Sequence, residues 1–186
     1  MACISKISAA ITYDCDGVST GLESAILINK EDILSYTVLS ADGRIDLITL
    51  KAGASAYKLD TIKRTLVMSE ALKTNEGAPN AFTHTANIVC TSTQASSMLK
   101  NLVNPAANGS FVILTRCYPE NGVAVATRPR AYGLYYGMSA TAIDRSTHDN
   151  GAWYSITLAT PERVLGEDAL AATDSTYNAL YTAAVG

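Results

Sequence analysis

The chain has 186 residues, of which 48% are hydrophobic and 17% charged, and its net charge is −3. This length suits one domain with a real core, and the acidic balance excludes a basic nucleic-acid-binding face, which needs clustered Lys and Arg. No window approaches the roughly 20 apolar residues of a membrane span, and residues 1–14 lack the apolar core of a secretory signal, so we expect synthesis and retention in the cytoplasm unless the protein leaves in a particle.

The low share of charged residues indicates a neutral, polar surface. Charged residues make up 17% of the chain, against a usual value of about a quarter. Depletion of charge is typical of the cores of protein interfaces, although a monomer rich in small residues would show it too. Of the two, we favour assembly with other subunits.

The N-terminal residues 1–21 contain small apolar residues followed by an acidic stretch with Asp14 and Asp16. Alternating aspartates begin a calcium loop, but the glycine at position six and the glutamate at position twelve are missing. We therefore interpret this stretch as a turn whose Asp side chains bond nearby amides.

Residues 22–29 include a compact apolar run and predict a buried strand. Two alternating runs, 34–40 and 44–51, flank Asp42 and Gly43, and an Asp-Gly pair in that position strongly predicts a hairpin.

Residues 57–72 then predict a long extended region, followed by a loop over 74–80. The side chains available for packing in the extended region are Leu59, Ile62, Leu66 and Met68.

Residues 82–118 predict a strand, one helix and a second strand. Residues 82–90 alternate, with Phe82, His84, Ala86, Ile88 and Cys90 on one face. Thr91 and Gln94 have the spacing of a capping box, which starts a helix, and Asn104 with Pro105 is predicted to end it. The apolar run that follows predicts a buried strand from Phe111 to Tyr118.

The C-terminal part predicts further strands joined by glycine-containing turns. Asn121 and Gly122 suit a turn that leads into residues 123–128, and 153–158 alternates after a hairpin tip at 148–151. Between these two regions lie the apolar run 131–138 and the segment 140–144. Pro161 is predicted to end the sheet. Residues 169–184 have weak helical spacing, and they belong to a C-terminal tail, residues 163–186, that is predicted to order only against a neighbour.

Residues for catalysis or metal binding are scarce. His84 falls on the apolar face of a strand, which favours a hydrogen-bonded structural role, and His148 at a turn tip favours a local contact with Asp149. The cysteines have no CxxC spacing, and Cys90 and Cys117 fit small buried side chains in a reduced compartment. We predict no enzyme activity, no cofactor and no metal site.

Together these elements predict a mainly β fold, a β-sandwich or incomplete β-barrel flanked by one α-helix. Residues 1–162 would form this domain, including an extended N-terminal arm and a long loop, and residues 163–186 the tail. A single short helix can bury its apolar stripe only against a sheet.

The order of elements resembles the tail tube (major tail) proteins of bacteriophages and contractile injection systems, especially the small versions in phages of Bacteroides-type gut bacteria. The Met1-Ala2-Cys3 start and the passage from Phe82 to Thr85 carry most of this resemblance. It spans about residues 1–162, and the tail after Pro161 departs from it.

The resemblance implies a virion structural protein whose six copies close a ring by joining their sheets, with the rings stacked around a lumen for DNA. Its partners would be copies of itself and other tail or neck proteins, DNA would pass without specific binding, and the protein would lie in the virion tail after assembly in the host cytoplasm. Residues 1–21 and 41–57 would make stacking contacts, and Asp42, Asp46 and Glu70 would face the lumen.

Two alternatives stay open. One is another virion protein, such as a capsid decoration, neck or tail-terminator protein. The other is a carbohydrate-binding β-sandwich, whose signature would be an exposed face formed by Tyr132, Tyr135, Tyr136 and Trp153.

Overall fold

The computed structural model describes residues 22–39, 44–59, 66–74, 76–77, 81–90, 103–117, 129–145, 154–161 and 170–185. The predictions for residues 1–21, for the capping box at 91–94, for the strand 123–128 and for His148 lie outside these ranges.

The described residues form a mainly β fold with two helices. In chain order the elements are β1 (Leu22–Asn29), a 3-10 turn (Lys30–Asp32), β2 (Ile33–Val38), β3 (Ile45–Leu50), β4 (Tyr57–Leu59), β5 (Leu66–Lys73), β6 (Ala81–Cys90), α1 (residues 103–108), β7 (Ser110–Cys117), β8 (Arg130–Tyr132), β9 (Met138–Arg145), β10 (Tyr154–Ala159), β11 (Leu170–Ala171) and α2 (Asp174–Ala183).

The main antiparallel sheet branches at β7. On one side β7 pairs with β1, which in turn pairs with β4. On its other side β7 pairs with β8, which leads to β11, and near its start with β9, which leads through β10 and β6 to β5. Strands β2 and β3 form a separate two-stranded sheet, which confirms the predicted hairpin strands.

Strand β7 is buried on both faces, as expected for a continuous apolar run. Its residues Phe111 and Ile113 face an inner core that also receives side chains from β1, β5, β6, β9 and β10. Because these strands share one core, the branch from β9 to β5 curls around it like an incomplete barrel. Ala106 of α1 packs on the same core, so a helix flanks the sheet as predicted, although residues 91–102 of the predicted helix lie outside the described ranges.

The opposite face of β1 and β7 carries a second core, the outer core. Val112 and Leu114 contact α2 and the hairpin, which contributes Ile45 and Ile48. The central pair of strands therefore lies between the curled branch on one side and a layer of α2 and the hairpin on the other.

The prediction that Asn104 and Pro105 end the first helix is wrong, because residues 103–108 are helical. A proline lacks its own N–H and clashes with the turn before it, so the turn after it can still form. That turn closes where the backbone N–H of Gly109 donates to the carbonyl of Pro105 at 2.7 Å.

The region from Tyr57 to Leu72 is extended where it is described, but it is not one strand with one partner. β4 pairs with β1, whereas β5 pairs with β6 on the far branch of the sheet. The packing prediction is confirmed for Leu59, Leu66 and Met68, which contact the inner core, and Ile62 lies outside the described residues.

Two predictions about the C-terminal region are wrong. The sheet does not end at Pro161, because Leu170 of β11 pairs with Ala131 of β8. The segment 163–186 does contain a helix, but α2 does not need a neighbouring copy to be ordered, because its Tyr177 and Leu180 are buried in the chain's own outer core.

Candidate functional site

Strand β5 forms one end of the main sheet. It pairs with β6 in an uninterrupted register from Leu66 opposite Ile88 to Lys73 opposite Ala81. No other described strand pairs with its outer side. An edge strand of eight residues without a bulge or proline presents unpaired backbone groups that can pair with another chain.

The side chains on β5 do little to block such pairing. Val67 is 48% exposed on the outer face of the strand, and Leu72 is also exposed. Natural sheets usually protect free edges with charges, prolines or bulges. Strand β5 has no proline or bulge, and its two charged residues are Glu70, which faces His84 on β6, and Lys73 at the strand end.

The outer face of the hairpin is a second exposed apolar surface. Leu34 is 64% exposed and Leu47 is 53% exposed, while Ile45 and Ile48 on the opposite face are buried. Strands β2 and β3 contain a single charged residue, Asp46. Exposed apolar side chains in a neutral setting are typical of surfaces that contact other proteins.

A buried polar group lies on the inner face of β6. His84 is 1% exposed, and its backbone is fixed by two hydrogen bonds with Thr160, one from the His84 N–H to Oγ1 at 3.1 Å and one from the Thr160 N–H to the His84 carbonyl at 3.0 Å. Neither ring nitrogen has a hydrogen-bond partner among the described residues. The predicted placement of His84 on the apolar face of its strand is confirmed, but the ring lacks the hydrogen bond expected of a structural histidine among the described residues.

Two ionisable side chains contact the His84 ring. Its Nε2 atom lies 3.7 Å from Oε1 of Glu70, which is directly opposite on β5. The rings of Tyr132 and His84 are nearly perpendicular, and their centres lie 5.4 Å apart. Burial raises the pKa of the Tyr132 phenol above its usual value, while nearby Arg130 and a side-chain hydrogen bond with Thr115 act in the opposite direction.

The contact between His84 and Tyr132 joins two arms of the sheet, the one from β8 to β11 and the one from β9 to β5. Tyr132 belongs to β8, and His84 belongs to β6 near the end of the other branch. The rings meet because that branch curls back towards β8, which brings polar groups from four strands into one cluster: Glu70, His84, Thr115 and Tyr132.

The other residues singled out in the sequence are dispersed. Asp46 is exposed on β3, far along the chain from Glu70, and Asp42 lies outside the described residues. Tyr135 and Tyr136 are exposed on the turn between β8 and β9, whereas Tyr132 is half-buried beside His84, so the described tyrosines do not form the single aromatic face expected for carbohydrate binding. Trp153 lies outside the described residues.

Cys117 carries a free thiol and is half-buried at the end of β7, where burial was predicted. The side chain of Cys90 is outside the described set. Within the described ranges, no three His, Cys, Asp or Glu side chains lie close enough together to hold a metal ion. Neither of the described helices is long and apolar enough to cross a membrane.

Sequence reasoning missed the pairing of His84 with Glu70 and the burial of Tyr177. The first depends on the register between β5 and β6, for which the sequence carries no direct signal. The second had a signal, because Tyr177, Leu180, Tyr181 and Ala184 recur at helical spacing.

The fold and its surfaces define a mainly β protein with a free sheet edge, an exposed apolar hairpin face and a buried polar cluster. Comparison with protein-family models, with curated proteins and with solved structures finds no match for this chain.

Proposed function

We propose that this chain is a virion structural protein, a tail tube subunit that forms stacked hexameric rings around a lumen for DNA. The observation that carries the proposal is the free edge of β5, which pairs with no other described strand on its outer side. The resemblance carried by Met1-Ala2-Cys3 and by residues 82–85 favours the same class.

A free edge of this length is an aggregation risk unless a partner covers it. A head-to-tail contact that pairs β5 of each copy with the next copy covers this edge in every copy once the ring closes. The free edge of β5 is thus the expected site of contact between neighbours in one ring.

The exposed hairpin face supports the stacking part of the proposal. Leu47 lies within residues 41–57, the segment expected to contact the next ring, and its side chain is exposed, as is that of Leu34 on β2. An apolar, nearly uncharged face can be buried between rings at low desolvation cost.

The acidic balance is compatible with a passage for DNA. Six copies, each of net charge −3, would carry −18, which repels phosphate and lets DNA slide without adhering. Glu70 and Asp46 remain the described candidates for lumen-facing charges.

The edge contact is tested by Val67→Lys, with Asn87→Lys as the matched control. Asn87 lies directly opposite Val67 on β6, is exposed, and is already paired on both sides. Wild type and Asn87→Lys should form rings by light scattering and electron microscopy, and Val67→Lys should remain monomeric. Rings of unchanged abundance in Val67→Lys would contradict an edge contact at β5.

The stacking contact is tested by Leu47→Asp, with Ala142→Asp on the exposed side of β9 as the control. Leu47→Asp should give single rings, whereas Ala142→Asp should still give tubes. Wild-type rings that never stack would favour a terminator or neck protein. Monomers that bind only capsids would favour a decoration protein, and monomers that bind a glycan array would favour a carbohydrate-binding module.

A further inference from the structure

We propose that His84 and Glu70 form a pH-dependent clasp that holds the edge strand β5 onto β6. The clasp tightens in mild acid, when the imidazole is positively charged and the carboxylate is still negative. It acts within a single chain, so it does not depend on assembly into rings.

The His84 ring has unmet hydrogen-bonding capacity. The side chain is 1% exposed, and both ring nitrogens lack a hydrogen-bond partner among the described residues. Buried polar atoms are nearly always hydrogen-bonded, so an imidazole with two open positions needs an explanation.

A carboxylate acceptor lies close to the His84 ring but is not hydrogen-bonded to it. Glu70 Oε1 lies 3.7 Å from His84 Nε2, whereas a charge-assisted hydrogen bond has a length of about 2.7–2.9 Å. The Glu70 side chain is 33% exposed, so its carboxylate can turn either towards water or towards the ring. A movement of about 1 Å converts the contact into a hydrogen bond.

Among the residues that the structure describes, Glu70 is the one charged group in contact with the His84 ring. Tyr132 faces it from β8 with its aromatic edge contact, and Thr160 next to β10 bonds only the backbone of His84. Arg130 and Cys117 interact electrostatically with Tyr132, and no contact joins them to His84 among those described. Glu70 is therefore the natural partner for a protonated imidazole.

Protonation of the His84 ring strengthens its attraction to the Glu70 carboxylate. A neutral imidazole offers one donor and one acceptor, whereas the charged form offers two donors and attracts a carboxylate. The Glu70 carboxylate attracts the ring only while the ring carries the extra proton, so the contact should strengthen as the solution becomes mildly acidic. Because the two residues are directly opposite, the bond formed there joins β5 to β6 across the strand pair.

The clasp is tested by urea unfolding of the full chain at pH 8.0 and pH 5.5, in the Val67→Lys background if the wild type assembles. Glu70→Gln removes the charge with little change in shape. Glu76→Gln, an exposed residue in the neighbouring loop, is the matched control. At each pH, the unfolding constant of a variant is divided by that of the wild type. For Glu70→Gln this ratio should be about tenfold higher at pH 5.5 than at pH 8.0, which is the effect of losing one charge-assisted hydrogen bond. For Glu76→Gln the ratio should be the same at both pH values. A Glu70→Gln ratio equal at both pH values would overturn the proposal.

Nuclear magnetic resonance gives a second readout that does not depend on stability. The chain has only two histidines, so His148→Gln leaves the signals of His84 alone. The titration midpoint of the His84 ring should fall when Glu70→Gln is added, because the charged form loses its partner. An unchanged midpoint would overturn the clasp, whether or not rings form.

Discussion

The hydroxyl of Tyr177 donates a hydrogen bond to Oγ of Ser24 at 2.8 Å, which ties helix α2 to strand β1 across the outer core. The Tyr177 side chain is fully buried, and this burial raises the pKa of its phenol from 10.0 to about 12. The Ser24 hydrogen bond and the nearby Arg116 act in the opposite direction, but desolvation is the largest effect.

Tyr177→Phe should make the alkaline loss of stability less steep. In the wild type the folded phenol stays neutral while the unfolded phenol ionises near pH 10, so the stability that Tyr177 contributes is fully present below pH 10 and is lost as the pH rises to about 12. Urea unfolding from pH 8 to pH 11.5 should show wild type losing on the order of 2 kcal/mol more than Tyr177→Phe over this range. Ser24→Ala, which keeps the phenol, should retain the steep profile, and a Tyr177→Phe profile parallel to wild type would be inconsistent with this assignment.

Leu114→Ala should destabilise the whole protein. Leu114 is fully buried in the outer core on β7, the strand on which both cores pack, so truncation leaves a cavity at the centre of the fold. The expected loss is roughly 2–5 kcal/mol in the free energy of unfolding. Leu47→Ala removes the same atoms from an exposed position and should change the stability of the monomer by less than about 0.5 kcal/mol. Similar losses in the two variants would mean that the burial of β7 does not dominate the stability.

Local sequence patterns predicted most strands because each signal lies within a few residues. The alternation in β6, the apolar run in β7 and the Asp42-Gly43 hairpin all depend on short-range periodicity or turn chemistry. The helix over residues 103–108 was not predicted, because Pro105 was expected to end the preceding helix.

Long-range pairing could not be predicted in the same way. Nothing near Leu170 signals that it pairs with β8, and nothing near Glu70 signals that it faces His84. Strand register and the choice of neighbour are set by packing across the whole sheet, so the buried polar cluster became visible only with the fold.

Gly133→Ala should cost far more stability than Gly53→Ala. Both glycines have a positive φ, +75° for Gly133 and +82° for Gly53, so both substitutions share a backbone penalty of about 1–2 kcal/mol. A Cβ at Gly133 would lie 2.6 Å from Cγ of Met138 and 3.0 Å from the carbonyl oxygen of Phe111, whereas a Cβ at Gly53 meets nothing within 4 Å. Thermal unfolding compares the two variants, and equal losses would show that the turn between β8 and β9 moves to relieve the contact.

Arg116→Lys should weaken the attachment of α2 to the sheet more than Glu23→Gln, which removes the negative charge beside Arg116. The guanidinium donates from Nη1 to Oδ1 of Asn178 on α2 at 2.9 Å, and its Nε lies 3.1 Å from Oε2 of Glu23 on β1, an ion-pair contact without hydrogen-bond geometry. It also lies 5.8 Å from the centre of the Tyr177 ring.

Lysine keeps the positive charge of Arg116 but cannot reproduce a planar fork that reaches two elements at once. We expect Arg116→Lys to lose about 1 kcal/mol of unfolding free energy, and Glu23→Gln to lose less than about 0.5 kcal/mol, because Glu23 is partly exposed and its charge is screened by water. Urea unfolding at low and high salt measures both variants. The loss in Arg116→Lys should be nearly independent of salt, because it comes from the Asn178 hydrogen bond and ring packing. A larger loss in Glu23→Gln than in Arg116→Lys would instead assign the attachment of α2 to the ion pair.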